Sequence, residues 1–192
     1  MMYIKKIIGL TGNSGSGKTT VCRILEKHNA YIINADTLAH QSLSGAASSD
    51  VLKTFGTTNR KELGAIVFSD ELKRKKLESI IHPHVLSEIQ KQIAKIQTTK
   101  NSYSYIIIDA PLLIESGGHN MADAVWVVYA DEQQRLNRIM KRDSLQKEQA
   151  LQRMRSQTPF EELKPFAHVV LENNGHLLHL EEQVKRALLA ME

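Results

Sequence analysis

Cysteine and long apolar runs are both scarce in this sequence. Only one of its 192 residues is cysteine, so no disulfide can form within the chain and a secreted, disulfide-stabilised fold is excluded. No apolar stretch approaches the roughly 20 residues that cross a bilayer. Residues 1–8 form a short apolar run broken by Lys5 and Lys6, which is typical of a buried strand and not of a signal peptide. We therefore expect a soluble, cytoplasmic protein without membrane partners.

The charge imbalance is small as well. The sequence has 25 basic and 21 acidic residues, and its net charge of +4 is too low to indicate a nucleic-acid partner. Basic residues concentrate between Arg135 and Arg155. Such a run is either a solvated helical face or a set of phosphate ligands, and the motifs described below favour phosphate. With 42% hydrophobic residues, the chain can bury the core of one domain of ordinary size.

Apolar, β-branched segments alternate with helical patterns along the chain. Five segments predict buried strands, namely 4–10, 31–34, 103–109, 124–129 and, more weakly, 168–172. Apolar side chains at helical spacing predict helices over about 18–28, 70–81, 83–97, 132–142, 147–157 and 180–191. This alternation is typical of an α/β fold with a parallel sheet covered on both faces, where ligands bind at the carboxyl ends of the strands.

Residues 37–97 interrupt the alternation because they contain no convincing strand. We expect a helical insertion over about 37–98, between core segments 1–36 and 103–192 of a single domain. A second helical segment, over about 138–162, resembles a lid. The prediction is a five-stranded parallel sheet flanked by helices, with a helical insertion and a helical lid.

The strongest motif occupies residues 12–19, whose sequence Gly-Asn-Ser-Gly-Ser-Gly-Lys-Thr matches the phosphate-loop pattern G-x-x-x-x-G-K-[ST]. A predicted strand precedes it and a predicted helix follows, so amide N–H groups and the helix dipole converge on a phosphate. Lys18 supplies a charge to the β- and γ-phosphates, and Thr19 supplies a hydroxyl to Mg²⁺. The expected ATP ligands are Gly12, Asn13, Ser14, Gly15, Ser16, Gly17, Lys18, Thr19 and Thr20.

The sequence contains neither an N-K-x-D nor a D-x-x-G motif, which argues against a GTPase and leaves the small-molecule kinases. Two carboxylates follow predicted strands: Asp36 comes after the second, and Asp109 ends the third. Phosphoryl transfer needs one carboxylate to take the proton of the acceptor hydroxyl and another to hold the metal, usually through water. Spacing leaves open which residue does which, and capping of a helix or a strand end is the alternative for each.

In their order along the chain, these motifs resemble the dephospho-CoA kinase family. Beside the phosphate loop, the resemblance rests on residues 34–40, Phe55-Gly56 with Arg60, Val67-Phe68, Leu77-Glu78, Ile81-His82-Pro83, 109–115, the lid residues Arg138, Arg142, Arg153 and Gln157, and 173–175. Asn34 and His168 stand where the family has aspartate, and the segment before Arg60 is shorter than in the family.

The family transfers the γ-phosphate of ATP to the ribose 3′-hydroxyl of dephospho-CoA, which is the last step of coenzyme A synthesis. The resemblance implies that Asp36 is the catalytic base and that Arg142 reaches the transferring phosphate, beside Lys18. It also implies which residues contact the two substrates. Those at the acceptor are Asp36, His40, Arg60, His82, Leu113 and Glu115, and those beside the adenine of ATP are Asn173 and Gly175.

Two other functions remain open. One is a different small-molecule P-loop kinase, for a nucleoside or a sugar acid, which the insertion and residues 111–115 disfavour. The other is a regulatory module that binds ATP and turns it over slowly, which Asp36 disfavours.

Cys22 and Trp126 are expected in the core. The histidines show no spacing suited to zinc, so nucleotide-bound Mg²⁺ is the only metal expected.

Overall fold

The computed structural model describes residues 5–68, 70–100 and 102–191. The chain divides into two compact units, one formed by Met1–Ile33 with Thr99–Glu192 and the other by Asn34–Thr98. None of the helices in the described ranges has the length and apolar character that crossing a bilayer requires.

The first unit is built on a five-stranded sheet. Its strands are β1 (Lys6–Thr11), β2 (Ala30–Asn34), β3 (Tyr105–Asp109), β4 (Ala124–Tyr129) and β5 (Val169–Glu172). Their order across the sheet is β2-β3-β1-β4-β5, and β1 pairs in parallel with both β3 and β4, as β4 does with β5. The predicted five-stranded parallel α/β fold is confirmed, and Ile4, where the first strand was predicted to begin, lies outside the described residues.

Helices separate the strands. In chain order they are α1 (Lys18–Lys27), α2 (Ala35–Ser44), α3 (Ser48–Phe55), α4 (Arg60–Phe68), α5 (Glu71–Thr98), α6 (Glu132–Asp143), α7 (Lys147–Arg155), α8 (Phe160–Leu163) and α9 (Leu177–Leu189). Short 3₁₀ turns occupy Gly118–Met121 and Lys164–Phe166. The predicted helices of the first unit all appear, with ends that differ by a few residues.

The core of the first unit follows from the two-residue period of its strands. One face of the sheet packs against α1 and α9, and Trp126 is fully buried there while Cys22 is 7% exposed, so both are in the core as predicted. The residues that join sheet and helices include Ile8, Leu10, Trp126, Val128, Val21, Leu25, Leu180 and Val184. Full burial of each such aliphatic side chain contributes about 1.5–3 kcal/mol.

The second unit is all helical, and α2, α3 and α4 each pack against the long helix α5. The sequence predicted two helices separated at Pro83, and this prediction was wrong because α5 runs through Pro83 for 28 residues. Ile81, Val85 and Ile89 are buried on one continuous face, four residues apart on either side of the proline. Their burial offsets the cost of about 3 kcal/mol that a proline imposes inside a helix.

Asn34 and His168, which stand where the resembled family has aspartate, both accept a hydrogen bond. The Asn34 side chain accepts from the backbone N–H of Thr37 at 2.8 Å and so forms the N-cap of α2. The cap is therefore Asn34, and the alternative that Asp36 caps this helix was wrong. Nδ1 of His168 accepts from the backbone N–H of Val125 at 3.1 Å, which adds a side-chain hydrogen bond to the β4–β5 pairing.

Candidate active site

The phosphate loop lies at the centre of the sheet edge. Since β1 has neighbours on both sides, the residues after Thr11 leave the sheet between β3 and β4. Helix α1 begins at Lys18, and its N-cap Gly17 makes no side-chain capping bond within the part of the chain that the structure describes. Gly17 has no side chain, so the first N–H groups of α1 receive no cap from it and can bind an anion. In its first turn, Thr19 is exposed and Thr20 is half-buried.

Lys18 and Asp109 form a buried ion pair under this loop. The Lys18 ammonium donates to Oδ1 of Asp109, and their side chains are only 14% and 8% exposed. The register of β1 and β3 explains the pairing. Asp109 lies beside Leu10, which is two residues before Gly12, so its carboxylate is next to the start of the phosphate loop. The sequence predicted both residues at this edge but did not reveal that they pair. Removal of either partner would leave an uncompensated buried charge.

Cys22 lies one helical turn after Lys18, and its thiol donates to the Asp109 carboxylate. Burial, and then the negative charge of Asp109, raise the pKa of this thiol to about 12. The thiol therefore stays protonated at neutral pH and is not a nucleophile. Its contribution to the site is a weak hydrogen bond that helps to orient the carboxylate.

The Ser16 hydroxyl lies buried within the loop. Its residue is 1% exposed, and its Oγ has no hydrogen-bond partner among the described residues. A buried hydroxyl left unpaired costs about 1–3 kcal/mol. A phosphate oxygen is an acceptor of suitable size and charge for this hydroxyl and for the surrounding N–H groups.

Two arginines of α6 bind the loop from outside. Nε of Arg135 donates to the carbonyl oxygen of Ser14 at 3.1 Å, and Nη1 of Arg138 donates to those of Gly15 and Ser16 at 3.1 and 3.4 Å. Because a trans peptide directs its N–H opposite to its C=O, the N–H groups of Gly15 and Gly17 point away from these arginines, whereas that of Ser16 donates to the carbonyl oxygen of Asn13 at 3.0 Å. Burial lowers the pKa of Arg135. Two cations thus hold the loop from outside, and they need not contact the phosphate themselves.

Close packing on the outside of the loop also explains two of its glycines. A Cβ atom on Gly15 would lie 2.7 Å from the carbonyl oxygen of Arg135, and one on Gly17 would overlap Nδ2 of Asn173. Both glycines have positive φ, +80° and +101°. Asn173 also joins this packing, since its Nδ2 donates to the carbonyl oxygen of Ser16 at 2.8 Å and its own carbonyl oxygen accepts from Arg138 at 2.8 Å.

Asn173 and Gly175 follow β5, and they differ in their surroundings. Asn173 is packed against the loop, whereas in the described part of the chain a Cβ built on Gly175 would have no atom within 4 Å other than those of its chain neighbours. The adenine contact of both residues stays a prediction.

The lid segment presents Arg142 at the mouth of the loop. Nη2 of Arg142 donates to Oγ of Ser14 at 3.1 Å, while its guanidinium makes two hydrogen bonds of 2.8 Å with the Asp143 carboxylate. Asp143 also accepts from Arg153 at 2.8 Å. The bond from Arg142 holds the pKa of Asp143 below its usual range. One carboxylate therefore orients two of the predicted lid arginines.

The far end of the lid segment contacts the loop tip directly. Oε1 of Gln157 accepts from the backbone N–H of Ser14 and from Nη2 of Arg135, both at 3.1 Å. Nδ2 of Asn13 donates to the carbonyl oxygen of Thr158 at 2.8 Å. Sequence reasoning missed the roles of Arg135 and Thr158. The spacing of Arg135 and Arg138, three residues apart on one helix, is a signal that could have revealed the first role.

Glu115 and Leu113 were both predicted at the acceptor, and in the structure they differ in exposure. Glu115 is exposed, and it accepts a hydrogen bond from the hydroxyl of Thr158. Leu113 is fully buried and packs closely against Gly9, where a Cβ atom would lie 2.7 Å from its Cδ2. The Leu113 side chain is thus part of the core, and its contact with an acceptor stays a prediction.

The other predicted acceptor residues belong to the helical unit. Asp36 and His40 are both exposed and lie four residues apart on α2, so they share one face of that helix. Arg60 is exposed at the first position of α4, and His82 is half-buried within α5. Their roles at the acceptor stay predictions.

A cavity of about 380 Å³ opens beside the loop tip. Its walls come from Asn13 of the loop, Arg135 of α6, Met154 of α7, and Tyr129 and Phe160, whose ring centroids are 4.4 Å apart. Its lining includes the loop-tip residue Asn13 but neither Lys18 nor Thr19.

Comparisons with known proteins show the family of this chain. The family model described as dephospho-CoA kinase matches residues 6–179. A dephospho-CoA kinase of Carboxydothermus hydrogenoformans is 39% identical over 193 residues, which cover 95% of this chain and 93% of that protein. Among solved structures, a Thermus thermophilus protein superposes with a TM-score of 0.84 at 31% identity, with 98% of each chain covered.

A dephospho-CoA kinase from Campylobacter jejuni also superposes, with a TM-score of 0.69, 27% identity and 97% of each chain covered. The family model spans most of the sequence, including the phosphate loop, the lid segment and Asn173. On these findings, the chain belongs to the dephospho-CoA kinase family.

Proposed function

We propose that this chain transfers the γ-phosphate of ATP to the ribose 3′-hydroxyl of dephospho-CoA, giving coenzyme A and ADP. The observation that carries the proposal is the phosphate loop, which places the Lys18 ammonium at the start of α1, two residues after a buried Ser16 hydroxyl that has no partner among the described residues. A site of this kind in a member of this family is suited to ATP as the phosphoryl donor.

Asp36 is the proposed base. As the 3′-oxygen of the acceptor bonds to the γ-phosphorus, the bond from that phosphorus to the β,γ-bridging oxygen breaks and ADP departs. The hydroxyl proton passes to the Asp36 carboxylate. Because Asn34 caps α2, Asp36 is left out of helix capping and remains exposed. His40, on the same face of α2, is proposed to orient the acceptor beside it.

The chain's cations stabilise the charge that moves during transfer. Lys18 is proposed to exchange its partner Asp109 for the β- and γ-phosphate oxygens when ATP binds. The N–H groups of the loop bind the same oxygens, and Arg142 reaches the γ-phosphate from the loop mouth, where Ser14 and Asp143 already hold it. Preorganised charge of this kind is usually the largest contribution to the rate.

We further propose that Mg²⁺ binds with the nucleotide. Its ligands from the chain are the Thr19 hydroxyl and, through water, the Asp109 carboxylate once Lys18 has turned to the phosphates. The described residues contain no group of three His, Cys, Asp or Glu side chains that would hold a metal alone. This fits Mg²⁺, which usually keeps several waters and binds through one or two protein ligands together with phosphates. The ion would supply positive charge to the phosphate oxygens.

A panel of acceptors tests the proposal. Release of ADP is measured with dephospho-CoA, AMP, adenosine, a sugar acid and no acceptor, each over a range of concentrations. We expect kcat/KM to be far higher for dephospho-CoA, because contacts with its diphosphate and pantetheine arm orient the reacting hydroxyl. Phosphorus NMR of the product should place the new phosphate on the ribose 3′-oxygen.

The same panel distinguishes the alternatives. Efficient phosphorylation of a nucleoside or a sugar acid, with dephospho-CoA ignored, would show that the acceptor is wrong while the phosphate-loop roles survive. ATP binding without acceptor-dependent release of ADP would instead indicate a regulatory module.

A further inference from the structure

We propose that Thr158 is a positioning residue that fixes the Glu115 carboxylate for the acceptor. The inference rests on the proposed function, since it takes Glu115 as an acceptor ligand. Thr158 touches no reacting atom itself. It acts by joining Glu115 to the phosphate loop, so that the two substrates are held in a fixed position relative to each other.

The first step is the pair of bonds that Thr158 makes. Its hydroxyl donates to Oε1 of Glu115, and its carbonyl oxygen accepts from Nδ2 of Asn13 at 2.8 Å. One residue thus connects the loop tip with the segment after β3, through contacts that span 145 and 43 positions of the sequence.

The second step is the fixation of Thr158 by its neighbour. Oε1 of Gln157 accepts from the Ser14 N–H and from Arg135, each at 3.1 Å, so the segment that carries Thr158 is bound at two adjacent residues. Thr158 is half-buried, and its β-branched side chain has few rotamers. Its hydroxyl therefore presents a donor at a fixed place relative to the phosphate loop.

The third step concerns what Glu115 would do without this donor. Glu115 is exposed, and a glutamate has three rotatable bonds whose freedom must be lost before the carboxylate can serve as a ligand. The bond from Thr158 occupies Oε1 and selects one orientation. Oε2 is then available to accept from a hydroxyl or amide of the acceptor, at a set distance from the γ-phosphate. A small displacement of a bound substrate is enough to slow a reaction strongly.

Two substitutions at Thr158 separate the hydroxyl from the shape of the side chain. Thr158→Val keeps the β-branched shape and removes the donor, whereas Thr158→Ser keeps the donor. We expect Thr158→Val to lower kcat/KM for dephospho-CoA about tenfold, the usual effect of losing a hydrogen bond to a charged group. The KM for ATP should stay within about twofold, and Thr158→Ser should restore most of the activity towards dephospho-CoA.

A double-mutant cycle with Glu115→Ala identifies the partner. When Glu115 is absent, Thr158→Val should change kcat/KM for dephospho-CoA by less than about twofold, because the bond it removes no longer exists. An undiminished effect in the Glu115→Ala background would overturn the proposal. So would equal losses from Thr158→Ser and Thr158→Val, or wild-type kinetics for Thr158→Val.

Failure of the proposed function is recognised separately. If the wild-type protein phosphorylated a different acceptor, the same variants would be assayed with that acceptor, and a valine-specific loss that vanishes without Glu115 would still support the positioning role. Absence of such a loss there would overturn it. A wild-type protein that turned over no acceptor would overturn both proposals.

Discussion

Lys18, Asp109 and Cys22 form one buried cluster beneath the phosphate loop. The ammonium neutralises the carboxylate, and the thiol donates a weaker hydrogen bond to the same group. Lys18 and Asp109 were both predicted as functional from sequence, because the loop motif and the strand end are local patterns. Their contact was not predicted, since it depends on the parallel register of β1 and β3, which no local pattern reports.

The charge of Lys18 should be essential for turnover. We expect Lys18→Ala to lower kcat by about 10²–10³-fold or more, because charge developing on the phosphates loses its nearest cation. Steady-state release of ADP measures the effect. Lys27→Ala is the matched control, as Lys27 ends the same helix and is 68% exposed beside Glu181. Near-normal turnover by Lys18→Ala would contradict the assignment of the phosphate loop.

The raised pKa of Cys22 should make stability depend on alkaline pH. With a pKa of about 12 in the folded protein, the thiol keeps its proton while the thiol of the unfolded chain loses its own near pH 9. The contribution is fully present below pH 9 and is lost as pH rises towards 12. We expect the free energy of unfolding to fall by about 1–2 kcal/mol more between pH 8 and 10 in the wild type than in Cys22→Ser.

Urea unfolding of both proteins at the two pH values measures this difference. Serine is the suitable control because it keeps a donor for Asp109 and does not titrate in this range. If the free energy of unfolding changed equally with pH in the two proteins, the thiol would not be held in its protonated form.

At the scale of elements, the strands were easier to predict than the helices of the second unit. The run Ala124–Tyr129 is apolar throughout and lies between Asp123 and Ala130-Asp131, and its predicted ends match those of β4. Helices α2, α3 and α4 were expected only as an unspecified helical insertion. They are short, with buried stripes of one to three residues, so their pattern is too brief to give separate ends.

In helix α5, the burial of apolar side chains outweighs the tendency of Pro83 to end a helix. This explanation can be tested by replacing the proline. Pro83→Ala restores an N–H that can bond to the carbonyl oxygen of Ser79, one turn earlier. We expect the local stability of α5 to rise by about 1–2 kcal/mol, since the unfolded chain also gains freedom when the proline is removed. Hydrogen exchange of the α5 amides measures the gain.

Lys91→Ala is a suitable control in the same helix, because Lys91 is 71% exposed and both residues favour helix. Faster exchange in Pro83→Ala than in the wild type would mean that the proline stabilises α5 and that the packing explanation is wrong.

At the scale of the whole molecule, the predicted site residues are divided between two units. The loop, Asp109 and the lid arginines lie in the sheet unit, whereas Asp36, His40, Arg60 and His82 lie in the helical unit. The order of the motifs predicted both sets. It could not report the bonds among Arg135, Arg138 and the loop carbonyls, because these arise from the packing of α6 against residues distant in sequence.

A substitution in the helical unit should therefore impair the chemistry while ATP still binds. Asp36→Asn keeps the size of the side chain but cannot accept the proton, and we expect kcat to fall about 10²–10⁴-fold. ATP affinity, measured by calorimetry, should change little, because the phosphate ligands belong to the other unit. Asp50→Asn is the control, as Asp50 is an exposed carboxylate in the first turn of α3. Weakened ATP binding with kcat retained would assign Asp36 to the metal or to structure.

The lack of space beside Gly15 and Gly17 bears on how this motif changes during evolution. A methyl group at either position would meet the Arg135 backbone or the Asn173 side chain, whatever the loop binds. Selection for folding alone would retain both glycines in a descendant that had lost its catalytic activity. The exposed hydroxyl of Thr19 carries no such constraint and would be free to drift. A relative that keeps the glycines but varies at this threonine is then best interpreted as a former kinase.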